Sequence, residues 1–295
     1  MVKKKRPQIL LNGIGIVYSL LCIIPFVIVV SASLSRPIDL SQAGYKLIPS
    51  PLSLNAYETV FRNPAVIGRS YAVTIFVTVV TVFFGLLFMS MAAYTLSRRN
   101  CAFRGALSFY FFFTMLFSGG IVPSYIWITQ YLKLQDTYRV MIIPSLINVF
   151  YVFMIRTFFQ QLPSDIFESA KIDGASEAVI FFRIALPLSK PVLATVAFFT
   201  AMGKWNDWTT GLYYLNDARL YPLQYLLYSI QRNIQALLAA MDFTTSGMGA
   251  IPIEDVPGEN LLMAMAVIAT GPMLVVFPLF QKHFVSGLTV GAIKG

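Results

Sequence analysis

The sequence predicts an all-α membrane protein, a polytopic bundle of six transmembrane helices, and three observations predict it. Of 295 residues, 57% are hydrophobic and only 12% charged, with a mean hydropathy of +0.70; soluble domains carry ~25% charged residues. The apolar residues arrive in blocks of the length, about twenty residues, that crosses ~30 Å of hydrocarbon. Basic residues sort to one side of those blocks, as they do when Lys and Arg are retained on the cytoplasmic face. Lipid is the solvent that suits this composition.

The blocks cover residues 9–33, 70–96, 106–127, 140–159, 191–214 and 261–284. The first follows Lys3, Lys4, Lys5 and Arg6, and its apolar stretch over 9–30 is longer than a signal-peptide core of about 7–15 residues, so it is expected to remain as an uncleaved span. In the second, Gly85, Ser90, Ala92 and Ala93 allow helices to approach closely. Gly119, Gly120 and Pro123 in the third block, with Pro144 and Asn148 in the fourth, weaken or bend their helices. Such bends suit a pore that opens, and they are also common in membrane helices generally. The fifth block has a short clean run over 191–202, after which Lys204, Asn206 and Asp207 interrupt it. A full span and a re-entrant segment both fit it.

Six spans place both chain ends on one side. With that side inside, the inner segments carry thirteen Lys and Arg against the four acids Asp165, Glu168, Asp173 and Glu177, and the outer segments carry eight against eight. Lys204 and Asp207 cancel within the fifth block, so the whole net charge of +9 falls inside. Membrane orientation thereby accounts for the basic pI without a nucleic-acid-binding face. The outer segments 34–69 and 215–260 are long, and loops of that size usually bind or plug something. Leu223, Leu226, Leu227, Ile230, Ile234, Leu237 and Leu238 recur at helical spacing among Gln224, Gln231, Arg232 and Gln235. They predict an amphipathic helix on the outer membrane surface or against a partner. Residues 244–258, rich in Gly, Pro and small polar types, read as an irregular loop.

Enzyme signatures are missing. The sequence has no G-x-x-x-x-G-K-[ST] phosphate loop, no H-E-x-x-H and no facing carboxylates within a span. Its single histidine, His283, is too few for a His-rich metal site, and Cys22 and Cys101 lie in different environments, so no disulfide framework is read. No metal and no cofactor are expected on this chain, and any nucleotide must be hydrolysed by another.

The informative segment is the inner loop over 160–187, within a single transmembrane domain over 1–295. Pro163 and Asp165 suit the first turn of a short helix, Gly174 a left-handed helix end, and Ser176 with Glu177 a fresh helix start. Pro187 limits the second helix. Ile166, Phe167 and Ala170 give the first helix an apolar face.

Here the residues resemble a known family. Glu168-Ser169-Ala170, Gly174-Ala175 and Ile184-x-Leu186-Pro187 are similar to the E-A-A, G and I-x-L-P pattern in the cytoplasmic loop of binding-protein-dependent ABC importer permeases. Ser169 stands where the family usually has alanine. The Trp205-Asn206-Asp207-Trp208 segment and the C-terminal run from Phe280-Gln281-Lys282-His283-Phe284 through Gly287-Leu288-Thr289, Gly291-Ala292 and Lys294-Gly295 resemble the maltose-type carbohydrate members, over nearly the whole chain. The resemblance implies the type I importer permease fold, a bacterial cytoplasmic membrane location and import of a sugar or oligosaccharide. The implied partners are a second homologous permease, an ATPase dimer that binds ATP and Mg, and an extracellular solute-binding protein. It also implies that Glu168, Ala170 and Gly174 are the coupling positions, in a loop that docks on the ATPase and passes its closure to the spans.

For substrate contact, Lys204 and Asp207 at i, i+3 can pair on a helix, either as a functional pair or as an interfacial pair reaching for water. Trp205, Trp208, Tyr213 and Tyr214 offer faces for sugar rings, and an aromatic belt at the membrane edge looks the same. Amino-acid, peptide or ion import is the alternative within the family. A membrane enzyme lacks convergent acids or histidines, and a secondary transporter would need ion-coupling residues and usually internal repeats, which the blocks do not show.

Overall fold

The computed structural model describes residues 5–49, 51–98, 100–244 and 258–292, with side chains undescribed at 5–10, 41, 237–244, 275–277 and 279–292. Among the described residues every regular element is helical. In chain order they are α1 (Lys5–Ser33), α2 (Pro37–Ala43), α3 (Asn55–Val60), α4 (Pro64–Ser97), α5 (Arg104–Leu116), α6 (Ile121–Ile126), α7 (Tyr138–Ile142), α8 (Val149–Gln161), α9 (Ser164–Ile172), α10 (Glu177–Ile180), α11 (Leu186–Leu188), α12 (Lys190–Trp205), α13 (Thr209–Tyr214), α14 (Leu223–Thr244) and α15 (Glu259–Ala292).

Two of the expected spans are continuous and long enough to cross a membrane, the α1 stretch Leu11–Ser33 and α4. Three others are bent. Residues Arg104–Leu116 and Ile121–Tyr131 meet at 110°, Tyr138–Ser145 and Val149–Gln161 at 44°, and Glu177–Leu188 and Lys190–Trp205 at 79°. Counting each bent pair as one crossing gives five candidate spans among the described residues, against the six expected; the sixth block lies on α15.

Each bend has a local cause. Phe117 leaves helical geometry with an extended backbone, and Gly120 sits at φ +84°, where a side chain is disfavoured. At the second bend, Pro144 closes a tight 3₁₀ turn, and the Asn148 side chain accepts from the Phe150 and Tyr151 N–H groups at 3.0 and 3.4 Å to start α8. Residues Phe181–Ala185 form a wide π-helical turn between α10 and α11, and Pro187 inside α11 has no N–H to donate backwards. The helix stops at Ser189, and α12 starts in a new direction. The fifth block, expected over 191–214, therefore ends as a helix at Trp205 and resumes only at Thr209.

The chain divides into two compact units, Met1–Gly68 with Leu227–Pro272, and Arg69–Leu226 with Met273–Gly295. In the first, the Ser33 and Tyr57 hydroxyls lie 2.9 Å apart, Asn260 donates to the Ser35 carbonyl and Tyr45 to Glu259, while Ile234, Leu261 and Met265 form an apolar core. Every described α1 side chain from Leu11 to Val27 is exposed. An apolar surface of that length needs lipid or another apolar helix against it.

The second unit packs α4, α8, α10 and α12 around Met89, Ala93, Val152, Ile155, Ile180 and Val196, each fully buried. A Cβ added to Gly85 would lie 3.2 Å from the Leu146 carbonyl, so this glycine sets how closely α4 meets that turn. Away from the core, Asp136 takes a positive φ, and its carboxylate accepts the backbone N–H groups of Asn216 and Asp217 and the Asn216 amide.

The amphipathic helix expected over 223–238 is present within α14. Leu223 and Leu226 are buried within the second unit and Ile234 within the first, while Leu227 and Ile230 are half-buried. Intramolecular burial thus takes part of the area that was expected to face membrane or partner. The side chains of Leu237 and Leu238, the loop over 245–257 and the side chains of the C-terminal motif, His283 included, lie outside the described residues.

Candidate functional site

The loop between α8 and α12 begins with Leu162 and Pro163 in extended conformation, which starts α9. Phe167 is its buried anchor. At the other end, Gly174 adopts φ +78°; its N–H donates to the Lys171 carbonyl at 3.0 Å and that of Ala175 to the Ala170 carbonyl at 2.9 Å. These two bonds are the Schellman arrangement, which satisfies the last carbonyls of the helix and needs a left-handed residue at the turn. The Ser176 side chain then accepts the Val179 N–H and caps α10. Two short helices result, reversed on a glycine.

The eight residues of the loop pattern, Glu168-Ser169-Ala170, Gly174-Ala175, Ile184, Leu186 and Pro187, separate into two groups. Glu168, Ser169, Gly174 and Pro187 are exposed. Ala170, Ala175, Ile184 and Leu186 are half-buried and pack against the core around Phe167, Ile180, Phe181 and Ala185. The loop is seated on the helical core with Glu168 and Ser169 turned outward, beside Ile172, which is 87% exposed.

Residues beyond that pattern hold the loop in place. One Glu177 oxygen accepts from the Tyr94 hydroxyl at 2.6 Å and lies 3.9 Å from the Arg98 Nε, while the other lies 2.6 Å from the Lys171 Nζ. The Arg98 guanidinium also stands over the Phe167 ring, 4.7 Å from its centre, and over that of Tyr94 at 5.5 Å. Tyr94 and Arg98 share one face of the α4 end by their i, i+4 spacing. That spacing was readable in the sequence, but nothing in it pointed to a partner 83 residues away.

At the other candidate site, Lys204 and Asp207 lie 2.8 Å apart, and Lys204 also donates to the Met141 carbonyl at 2.9 Å. The Asp207 carboxylate accepts the Thr210 N–H and the Thr209 and Thr210 hydroxyls. The pair therefore closes the break between α12 and α13 and starts the latter. Trp205 is buried, its ring 6.3 Å from that of Tyr71. Asn206 and Trp208 are exposed, and the Asn206 amide bonds back to the Met202 carbonyl. Within the run Lys204-Trp205-Asn206-Asp207-Trp208, these two are presented outward. Tyr214 stacks on Tyr125, with ring centres 5.8 Å apart.

Comparison with known proteins gives this geometry its context. Residues 85–290 match the family described as binding-protein-dependent transport system inner membrane component. Over its full length the chain is 38% identical to the whole of the polygalacturonan/rhamnogalacturonan transport system permease protein YtcP of Bacillus subtilis. It is 42% identical to protein LplC of the same organism, over 97% of this chain and 92% of that one. Among solved structures, a bacterial ABC transporter involved in the import of the acidic polysaccharide alginate superposes with a TM-score of 0.77 at 26% identity, over 96% of this chain and 99% of that one. The matched family region contains both the two-helix loop and the Lys204–Asp207 break, and the chain belongs to the binding-protein-dependent transport system inner membrane components, the permease subunits of ABC importers.

Proposed function

We propose that the chain forms half of a translocation path for an oligosaccharide, with uronic-acid oligomers as the substrate class. The observation that carries this reading is the end-to-end similarity to a permease named for polygalacturonan and rhamnogalacturonan transport. The solved relative named for alginate import, another acidic polysaccharide, points the same way. Import of amino acids, peptides or ions has no comparable support.

In this reading the α9–α10 loop is the coupling element. Glu168, Ser169, Ala170, Gly174 and Ala175 meet a partner ATPase, and Ile184, Leu186 and Pro187 hand its movement to α12. The exposed Glu168 supplies a charged contact and Ile172 an apolar one, while the Schellman turn keeps the helix pair stiff enough to act as a lever. ATP and Mg belong to the ATPase dimer; this chain supplies no nucleotide site. A second permease completes the path, and a solute-binding protein delivers substrate on the outer side. The excess of Lys and Arg on the inner segments supports a cytoplasmic position for the loop and both termini. On the path itself, Asn206 and Trp208 are the residues placed to meet sugar, with Lys204, Trp205 and Asp207 shaping the helix break behind them.

The test is ATP hydrolysis by the complete complex in lipid, with its binding protein, on adding oligogalacturonates, alginate oligomers or neutral maltodextrins. Stimulation by the uronic-acid oligomers is the expected result. Stimulation by maltodextrins alone would move the substrate class to neutral sugars, and no association with an ATPase would remove the coupling reading.

A further inference from the structure

We propose that Glu177 is a positioning residue, the centre of a tether that makes the α9–α10 loop and the end of α4 one mechanical body. The proposal rests on the coupling reading above and goes beyond it, because that reading assigns the loop to the ATPase and to α12 and says nothing of α4.

Glu177 starts α10, Lys171 lies in the last turn of α9, and Tyr94 and Arg98 stand at the end of α4. One carboxylate gathers all three elements through the 2.6 Å contacts to Lys171 and Tyr94, with Arg98 at 3.9 Å. A carboxylate accepts several bonds at once, and its bonds to charged donors are stronger than neutral ones. Apolar contacts lie beneath it. Tyr94 meets Phe159 and Phe181 edge-on or tilted, at ring distances of 5.9 and 5.3 Å, and Arg98 roofs Phe167. Exposed ion pairs contribute little by themselves, and Glu177 remains half exposed. Its role is therefore geometric: without it the hydrophobic seat still holds the loop, but the angle between the loop and α4 is no longer fixed. Among the described residues, α4 (Pro64–Ser97) is the one helix with most of its length in the second unit that is both continuous and long enough to span a membrane, so a movement delivered at its end is carried along its length, where the bent helices would absorb it.

The experiment places spin labels at Thr95→Cys on α4 and Ser164→Cys on α9, both exposed positions, in a Cys22→Ser, Cys101→Ser background of the assembled complex in lipid. Distances are read without nucleotide and with ATP and vanadate. With Glu177 intact, one narrow distance that does not shift between the two states is expected. Glu177→Gln removes the charge with little change of shape, and Tyr94→Phe removes one hydroxyl. Each should broaden the distance without nucleotide and shift it with ATP, while ATP is still hydrolysed and less sugar is carried per ATP. If Glu177→Gln lowers the yield of complex, Tyr94→Phe alone carries the test. A distance that shifts with ATP in the parent protein overturns the proposal. So do variants as narrow as the parent, and so does a loss of hydrolysis and transport in equal proportion, which marks a structural role only. Failure of the chain to bind an ATPase would sink the coupling reading instead, and the nucleotide-free widths would still decide the tether.

Discussion

Gly174 is the residue on which the loop turns. Its φ of +78° costs an L side chain roughly 1–2 kcal/mol, although nothing stands within 4 Å of where a Cβ would go. Gly174→Ala is therefore expected to insert normally yet lower binding-protein-stimulated ATP hydrolysis, measured on the complex in lipid; unchanged stimulation would show that the turn tolerates strain. Asp136 offers a pH test. Burial pulls its carboxyl upward, but the Asn216 and Asp217 N–H groups and the Asn216 amide outweigh that and hold it below the usual carboxylate range. A depressed pKa means stability present above the ordinary value of 3.8 and lost as the pH falls through the lower native one. Hydrogen-exchange protection at residues 214–218, taken relative to the intrinsic rate at each pH, is expected to persist through mildly acidic pH and to fall only in stronger acid. Asp136→Asn should lower that protection and remove its dependence on pH. In the sequence, Gly174 and Ser176 announced their roles through local backbone chemistry, which needs no knowledge of distant residues. Glu177 announced only a helix start, because its partners on α4 are set by packing, and Asp136 announced nothing, since a positive φ at an aspartate leaves no pattern.

At the scale of helices, apolar length and breaker residues were legible and angles were not. Gly119, Gly120, Pro144 and Asn148 marked where the third and fourth blocks bend, but 110° and 44° depend on what each half packs against. The break after Trp205 was foreshadowed by Lys204, Asn206 and Asp207, polar residues too close together for an apolar span; that Asp207 would cap a new helix followed from Thr209 and Thr210, which carried no signal by themselves. The amphipathic pattern of α14 was read correctly as a helix, but not which residues would cover Leu223, Leu226 and Ile234, because periodicity reports an apolar face and not what packs on it. Packing also separates two glycines. A Cβ at Gly211 would fall on the Tyr225 ring, whereas at Gly203 it meets nothing. Gly211→Ala is expected to lose about 1–3 kcal/mol through overpacking, and Gly203→Ala, inside α12, to gain roughly 0.5–1 kcal/mol from helix propensity. Thermal unfolding in nanodiscs would show the two melting temperatures moving in opposite directions, and a shared direction would contradict the helix contacts described.

For the whole molecule, composition alone fixed the solvent, and the family followed from a loop pattern that physical reading had already placed between two helices. The span count was less accessible, because bent helices make one crossing look like two elements. The two cysteines provide a topological check without engineered sites. Cys22 is exposed on α1 and Cys101 half-buried between α4 and α5. In oriented vesicles, a membrane-impermeant maleimide is expected to label Cys101 only when the cytoplasmic face is outward, and Cys22 from neither side, because lipid shields it. Labelling of Cys101 from the opposite face would reverse the orientation drawn from charge.

The carboxylate of Asp136 bears on how the protein is made. Its acceptors are satisfied by N–H groups 80 and 81 residues further along, so those bonds cannot form until residues 216 and 217 have been synthesised. A latch of that span closes late, whereas the turn at Gly174, whose bonds reach back three and five residues, can close as soon as its own segment is made.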